Sequence, residues 1–299
     1  MQSRTDTAEA RDSRRHRAWA LLSRVSVSAP GMVAELVHAH GPVEAANRVV
    51  SGVIDARYSL RDWERADDDL FRTAVMGGRL LTRDDPVWPA RLADLDGLGE
   101  DVHAPIALWV RGTQEPDLFA SHTIAVVGSR VATGYGKRVT HEFASDLARR
   151  GRVVVSGAAF GIDAAAHAAA LTEQAPTIAV LPCGLDRPYP AARDQLLARI
   201  AETGLVISEY PPGTAPAKSR FLARNRIVAA LSAGVLVCEV GLRSGAGNTV
   251  HWATRLHRPV AAVPGPITSA ASAGCRDVIR TGAARLVTTT DQILDTVDG

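Results

Sequence analysis

The chain has 299 residues, 46% of them hydrophobic, enough for a full core and for more than one folded unit. Its 34 basic and 32 acidic residues nearly cancel, to a formal net charge of +2, so any nucleic-acid site must be a local patch and not a global field. Cys183, Cys238 and Cys275 are far apart with no CxxC pair, which argues against a disulfide framework or a zinc site and for the reducing cytoplasm.

From the N-terminus, MQSRTDTAEARDSRRHR is polar and has no signal-peptide apolar core, and residues 1–17 are expected to lack fixed structure. Apolar residues then recur at helical spacing: Ala18, Leu21, Leu22 and Val25, next Met32, Val33, Leu36 and Val37, next Ala45, Ala46, Val49 and Val50. Breaks fall at the Ala-Pro pair 29–30 and the Gly-Pro pair 41–42, and residues 1–80 are read as a small helical domain. Its run Asp67, Asp68 and Asp69 reads as a solvated helix face in preference to a protein-binding edge. Residues 81–105, with Pro86, Pro89 and Pro105, read as a connector, followed by a strand candidate at 106–110.

Beyond it, short β-branched runs alternate with alanine-rich helical segments: IAVV at 124, VVVS at 153, TIAVL at 177, LVIS at 205, VLVCEV at 235 and VAAV at 260. Strands of this kind separated by helices imply a mainly parallel sheet buried on both faces. Residues 106–299 are therefore assigned to one Rossmann-like α/β domain. The longest apolar stretch, Ile227 to Val240, is broken by Ser232, Gly234 and Glu239, so membrane insertion is not expected.

In an open α/β sheet the ligand sits at the carboxyl ends of the strands, and four loops there carry suitable residues. In VVGSRVATGYGKR, small residues let backbone amides approach a phosphate while Arg130 adds a bidentate contact beside Gly128 and Ser129; the alternative is a tight turn with a surface arginine. The loop matches neither the dinucleotide nor the Walker pattern. In VVVSGAAFGIDAAAHAAAL, Ser156, Gly157 and Gly161 precede a helix on which Asp163 and His167 are four apart. A carboxylate-oriented histidine is one reading; the preferred one has Asp163, in the first helical turn, satisfying exposed amides with His167 packed beside it.

SEYPPGTAPAKSRFLARNR delivers Lys218, Phe221, Arg224, Asn225 and Arg226. Consecutive helical residues lie about 100° apart, so the triplet cannot all point one way: one arginine can face ligand while another pairs with an acid such as Glu209 or Glu239. Phe221 among cations suits base stacking with backbone phosphates held nearby; its alternative role is a core anchor. The fourth loop, CEVGLRSGAGNTVHWA, runs through Ser244, Gly245 and Thr249 into a helix, a ready anion site. Together the four loops imply one shared basic, glycine-lined groove.

GSRVATGYG, SGAAFGIDAAAH, IAVLPCGLDRPYP, SEYPPGT, FLARNRIVAALS, RSGAGNT and AVPGPITSAASAGC occur in that order from about Pro86 onward, and the ordered set closely resembles the DNA-processing protein A family, DprA or Smf. The resemblance implies a Rossmann-like sheet flanked by helices and preceded by a small N-terminal helical domain of SAM or helix-hairpin-helix type. It further implies a homodimeric binding protein without catalysis, cofactor or metal, one that protects single-stranded DNA and helps load the RecA recombinase during natural transformation. On the matching positions, Arg130, Lys218, Phe221 and the Arg224-Asn225-Arg226 triplet correspond to the DNA pocket or its shaping. Gly128, Ser129, Ser156, Gly157, Gly161, Ser244, Gly245 and Thr249 correspond to its glycine-rich walls. No stretch before Gly299 resembles the C-terminal winged-helix segment that many members carry, so that module's contacts are not expected.

The competing expectation is a nucleotide-binding or nucleotide-hydrolysing enzyme on a related fold, with Glu209 or Asp163 as acid or base. Against it, the loop at 247–251 reads Gly-Asn-Thr-Val-His and lacks the glutamate of nucleotide phosphoribohydrolases.

Overall fold

A computed structural model describes all residues except 1, 53, 56, 100, 115–118, 120, 121, 190 and 243, and all side chains except those and residues 2–11 and 191. The chain opens with three helices, α1 (Gln2–Ser26), α2 (Pro30–Val50) and α3 (Arg61–Val75). Within α2 the backbone leaves helical geometry at Gly41, φ 73°, immediately before Pro42, where the Gly-Pro pair predicts a break. Helix α1 begins inside the segment expected to lack fixed structure, because its charges find partners: Arg15 pairs with Asp84 at 2.7 Å and Arg17 with Asp67 at 2.6 Å.

The acidic run on α3 is likewise engaged. Asp69 is buried and accepts from Arg24 of α1, which fastens α3 to α1, while Asp67 and Asp68 stay exposed, as a solvated face would, and pair there with Arg17 and Arg72. Ala18, Leu21, Leu22 and Val25 form one apolar cluster with Leu80, Ile106, Trp109, Ala179 and Val206. Each such fully buried leucine contributes roughly 2 kcal/mol relative to exposure. The buried Trp109 indole donates to Ser23 Oγ at 3.0 Å, which satisfies its polar edge at this contact.

Among the described residues nine strands form one sheet in the order β1-β2-β6-β5-β4-β3-β7-β8-β9. They are β1 (Gly78–Thr82), β2 (Ala107–Arg111), β3 (Thr123–Gly128), β4 (Val153–Ser156), β5 (Thr177–Leu181), β6 (Leu205–Ser208), β7 (Gly234–Glu239), β8 (Val260–Ala262) and β9 (Arg285–Leu286). β2 pairs antiparallel with β1 on one side and with β6 on the other, the latter through registers such as Trp109↔Ser208; the other pairings are parallel. All six β-branched runs expected as strands are strands. The sheet starts at Gly78, well before the expected entry near 106, because β1 is completed by pairing with β2 and not by its own composition.

Helices α4 (Gly134–Arg149), α5 (Ile162–Thr172), α6 (Asp194–Thr203), α7 (Lys218–Leu231), α8 (Ala246–Arg255), α9 (Ala273–Arg280) and α10 (Thr290–Asp298) connect the strands and flank the sheet. The fold is thus a mostly parallel, Rossmann-like sheet between helical layers, with a helical region at its N-terminus. The cysteines are free and buried, and burial pushes the thiols of Cys183 and Cys275 up to about 11 and Cys238 up to about 12. Among the described residues, no helix is long and apolar enough to cross a membrane.

Candidate nucleic-acid interface

Strands β3 and β7 are parallel neighbours, yet the chain leaves β3 toward β4 on one side and β7 toward β8 on the other. Their loops diverge and open a crevice at the topological switch point, the usual ligand position in this architecture. A cavity of about 680 Å³ occupies it, walled by the loops after β3, β4, β5 and β7 and by the first turns of α7 and α8.

The loop after β3 is shaped by close packing. A Cβ at Gly128 would fall inside 3.0 Å of both Ile162 and the Glu239 carbonyl, and one at Gly136 would strike the Glu239 carboxylate. That carboxylate is fully buried and accepts from Thr133 N at 2.8 Å and Thr133 Oγ1 at 2.7 Å, while Thr133 Oγ1 caps α4 by accepting from Gly136 N at 3.1 Å. Ser129 N donates to the Glu239 carbonyl at 2.7 Å. Glu239 therefore fastens the loop that presents Arg130; it is not an arginine partner, the role the sequence suggested as one option.

Arg130 is exposed, and its guanidinium lies 4.5 Å from the centroid of the Phe221 ring. Tyr189 meets the same ring edge to face, with centroids 5.6 Å apart. Phe221 is half-buried in the cavity wall and so is not a core anchor. Lys218, also exposed, begins α7, whose N-terminus receives no side-chain cap. Neither Arg130 nor Lys218 forms an ion pair among the described residues; the buried Asp163 feels the charge of Arg130 without pairing with it, and both cations stay exposed at one cleft.

Under them lies Arg224, 3% exposed, whose Nη1 donates to the Val180 carbonyl at 3.0 Å. Its guanidinium fills the space above Gly157, where any Cβ would fall inside 3.0 Å of it. Burial lowers its pKa, and the Asp163 charge opposes that shift. Burial in turn raises the pKa of Asp163, which Arg224 and the backbone amides of Ala159 and Gly157 pull back. Asn225, midway along α7, ties that helix to the start of α8, donating from Nδ2 to Gly245 O at 3.4 Å and Asn248 Oδ1 at 3.3 Å. Ser244, Gly245 and the buried Thr249 line the cavity on that side.

Three residues expected from the sequence stand behind the wall. Arg226 binds Glu209, Nη1 to Oε2 at 2.9 Å, and its Nε donates to the His103 carbonyl. Ser156 is buried and ties β4 to β3 by donating to the Val126 carbonyl at 2.7 Å. Gly161, φ 78°, lets its loop pack against the carbonyls of Ser129 and Arg130, where a side chain has no room. Asp163 and His167 follow the preferred reading: Asp163 accepts from Ala159 N at 3.4 Å, and the buried His167 pairs through Nδ1 with Thr177 Oγ1 at 2.8 Å. Sequence reasoning missed Tyr189, Leu222 and Val131 at the mouth. Of these only Tyr189, an aromatic set between two prolines, carried a local signal.

Residues 79–298 match the family described as DNA recombination-mediator protein A. The chain is 49% identical over 291 residues to the putative DNA processing protein DprA of Mycobacterium tuberculosis strain H37Rv, covering 94% of this chain and 75% of that one. It is 43% identical over 197 residues to the DNA processing protein DprA of Streptococcus pneumoniae, 66% of this chain and 68% of the relative. The X-ray structure of DNA processing protein A from Streptococcus pneumoniae superposes with a TM-score of 0.70 at 36% identity, over 80% of this chain and 81% of that one. The Helicobacter pylori DNA processing protein A, solved for its single-stranded DNA binding mode, superposes with a TM-score of 0.64 at 31% identity, over 73% and 94%. This chain belongs to the DNA recombination-mediator protein A family.

Proposed function

We propose that the protein binds single-stranded DNA in the crevice beyond β3 and β7, protects the strand and helps deliver it to a RecA-type recombinase in recombination and DNA uptake. In this reading it acts in the cytoplasm, as a homodimer and without catalysis. The observation that carries it is Arg130 stacked on Phe221 beside Lys218: a cation over an aromatic face, with a second exposed cation next to it, suits a base on the ring and phosphates on the cations. The single-stranded DNA binding of the Helicobacter pylori relative supports the same assignment. Arg224 shapes the floor and supplies long-range positive potential. Gly128, Ser129, Gly157, Ser244 and Gly245 keep the walls low enough for a backbone to approach. The carboxylates best placed for hydrolytic chemistry already have partners, Glu209 in Arg226 and Asp163 in backbone amides, which favours binding over a nucleotide-hydrolysing enzyme.

The test is fluorescence anisotropy of a labelled oligonucleotide over a salt series, with duplex competitor, for wild type and Arg130→Ala. Single-strand preference is expected, with the logarithmic salt slope reduced by about 0.7 in the variant, one phosphate contact on a single strand. An unchanged slope removes Arg130 from the DNA contact, and no binding by the wild type removes the reading.

A further inference from the structure

The loop between β4 and α5 turns a second aromatic ring outward. Ser156, Gly157, Ala158 and Ala159 are all buried, whereas Phe160 keeps 45% of its surface exposed. A phenylalanine left in water at the end of an otherwise buried loop gains nothing for the core. The loop is held firmly: Ala158 and Gly161 adopt positive φ, 53° and 78°, and Gly161 packs on the backbone of Ser129 and Arg130. Phe160 is therefore adjacent to the Arg130 loop, while its neighbour Ala159 lines the cavity itself.

Over this ring sits Arg193, its Cζ 4.5 Å from the centroid, the same separation as Arg130 over Phe221. Arg193 has no acidic partner among the described residues, and its buried Nε makes no hydrogen bond. It follows Tyr189, which lines the cavity, by four residues along the chain. Two arginine-aromatic stacks thus stand on loops that also line the crevice, Phe160 next to Ala159 in one and Arg193 after Tyr189 in the other.

We infer that Phe160 and Arg193 form a second base-stacking platform, which takes a further nucleotide of the same single strand beyond the one at Phe221. This rests on the single-strand binding proposed above. The ring or the guanidinium plane receives the base, and the free charge of Arg193 receives a phosphate; stacking of this kind tolerates any base. The loop supplies no hydrogen-bonding side chain toward the ring that would read a base edge, so the platform extends the site without adding sequence preference.

The experiment measures the affinity of the full chain for oligothymidylates lengthened one nucleotide at a time, for wild type, Phe160→Ala, Phe160→Trp, Arg193→Ala and Phe221→Ala. A parallel series scans 2-aminopurine along a fixed-length strand. Phe160→Ala should bind the shortest competent oligonucleotide like wild type and lose about 10-fold from the length that reaches the second platform, in the range of one base-aromatic stack. Phe160→Trp should keep that gain, and Phe221→Ala should weaken every length. One 2-aminopurine position should be quenched in wild type and Phe160→Trp but not in Phe160→Ala. An unchanged length profile in Phe160→Ala, or an equal loss at every length, overturns this platform and leaves the proposed function standing. Failure of the wild type to bind any length overturns both.

Discussion

Arg224 occupies the space that a side chain at position 157 would need, so the first arginine of the Arg-Asn-Arg triplet and the glycine of the β4–α5 loop form one unit. Glycine at 157 is required by a buried cation and not by a left-handed backbone. Gly157→Ala should force Arg224 out of its bond to the Val180 carbonyl and destabilise the fold by about 3 kcal/mol, the cost of overpacking plus a displaced buried charge. Arg224→Ala should be costly alone, and the double variant should be less destabilised than the sum of the two, because the clash vanishes with the guanidinium. Urea unfolding of the four proteins closes the cycle; strict additivity contradicts the coupling.

Arg226 separates stability from binding within the same triplet. Its side chain and that of Glu209 are both mostly buried, so Arg226→Ala leaves a carboxylate without its partner and should cost about 3 kcal/mol of stability. The salt slope for single-stranded DNA should stay at the wild-type value, in contrast to Lys218→Ala, which should lower the slope with little effect on unfolding. Equal slopes for wild type and Lys218→Ala, measured by anisotropy, remove Lys218 from the phosphate contacts.

Glu239 should act on the cleft without touching what it binds. Glu239→Ala orphans the amide and hydroxyl of Thr133 and should destabilise the protein by about 2 kcal/mol, while Glu239→Gln keeps an acceptor and should cost less. Because the same residue positions the loop carrying Arg130, the alanine variant should also weaken single-strand binding and lower the salt slope part of the way toward that of Arg130→Ala, the sign of a misplaced phosphate contact. Hydrogen exchange at residues 129–136 is expected to rise in Glu239→Ala.

His167 couples stability to acid. Burial, reinforced by the Arg224 charge, depresses its folded pKa to about 3. The unfolded chain takes up the proton first, so the contribution is complete above the unfolded value of about 6.5 and shrinks as pH falls from there toward 3, by up to about 1.4 kcal/mol per unit. Thermal melts of wild type and His167→Gln between neutral pH and pH 4 should show a steeper acid decline in the wild type. Parallel declines contradict a neutral buried imidazole.

Local chain properties determined much of this protein. Runs such as TIAVL and VVVS carry enough β-branched bulk to be strands wherever they pack, and glycines followed by helical segments mark the loops at their carboxyl ends. Even the divergence of Arg224 and Arg226 was legible, since helical geometry separates residues two apart by about 200°. What each arginine meets was not legible. Arg224 finds a carbonyl 44 residues away, and Arg226 an acid 17 residues away; crossovers of the sheet, not spacing in the chain, bring those groups within reach. The same holds for β1, β9 and Glu239. GRLLT and RL have too little apolar pattern to declare themselves and become strands only against neighbours that offer free backbone edges. Glu239 comes to hold Thr133, the cap of α4, because β7 ends where α4 begins. Periodicity is a property of adjacent residues, whereas pairing and capping depend on where the whole chain returns, and only the tertiary structure decides that.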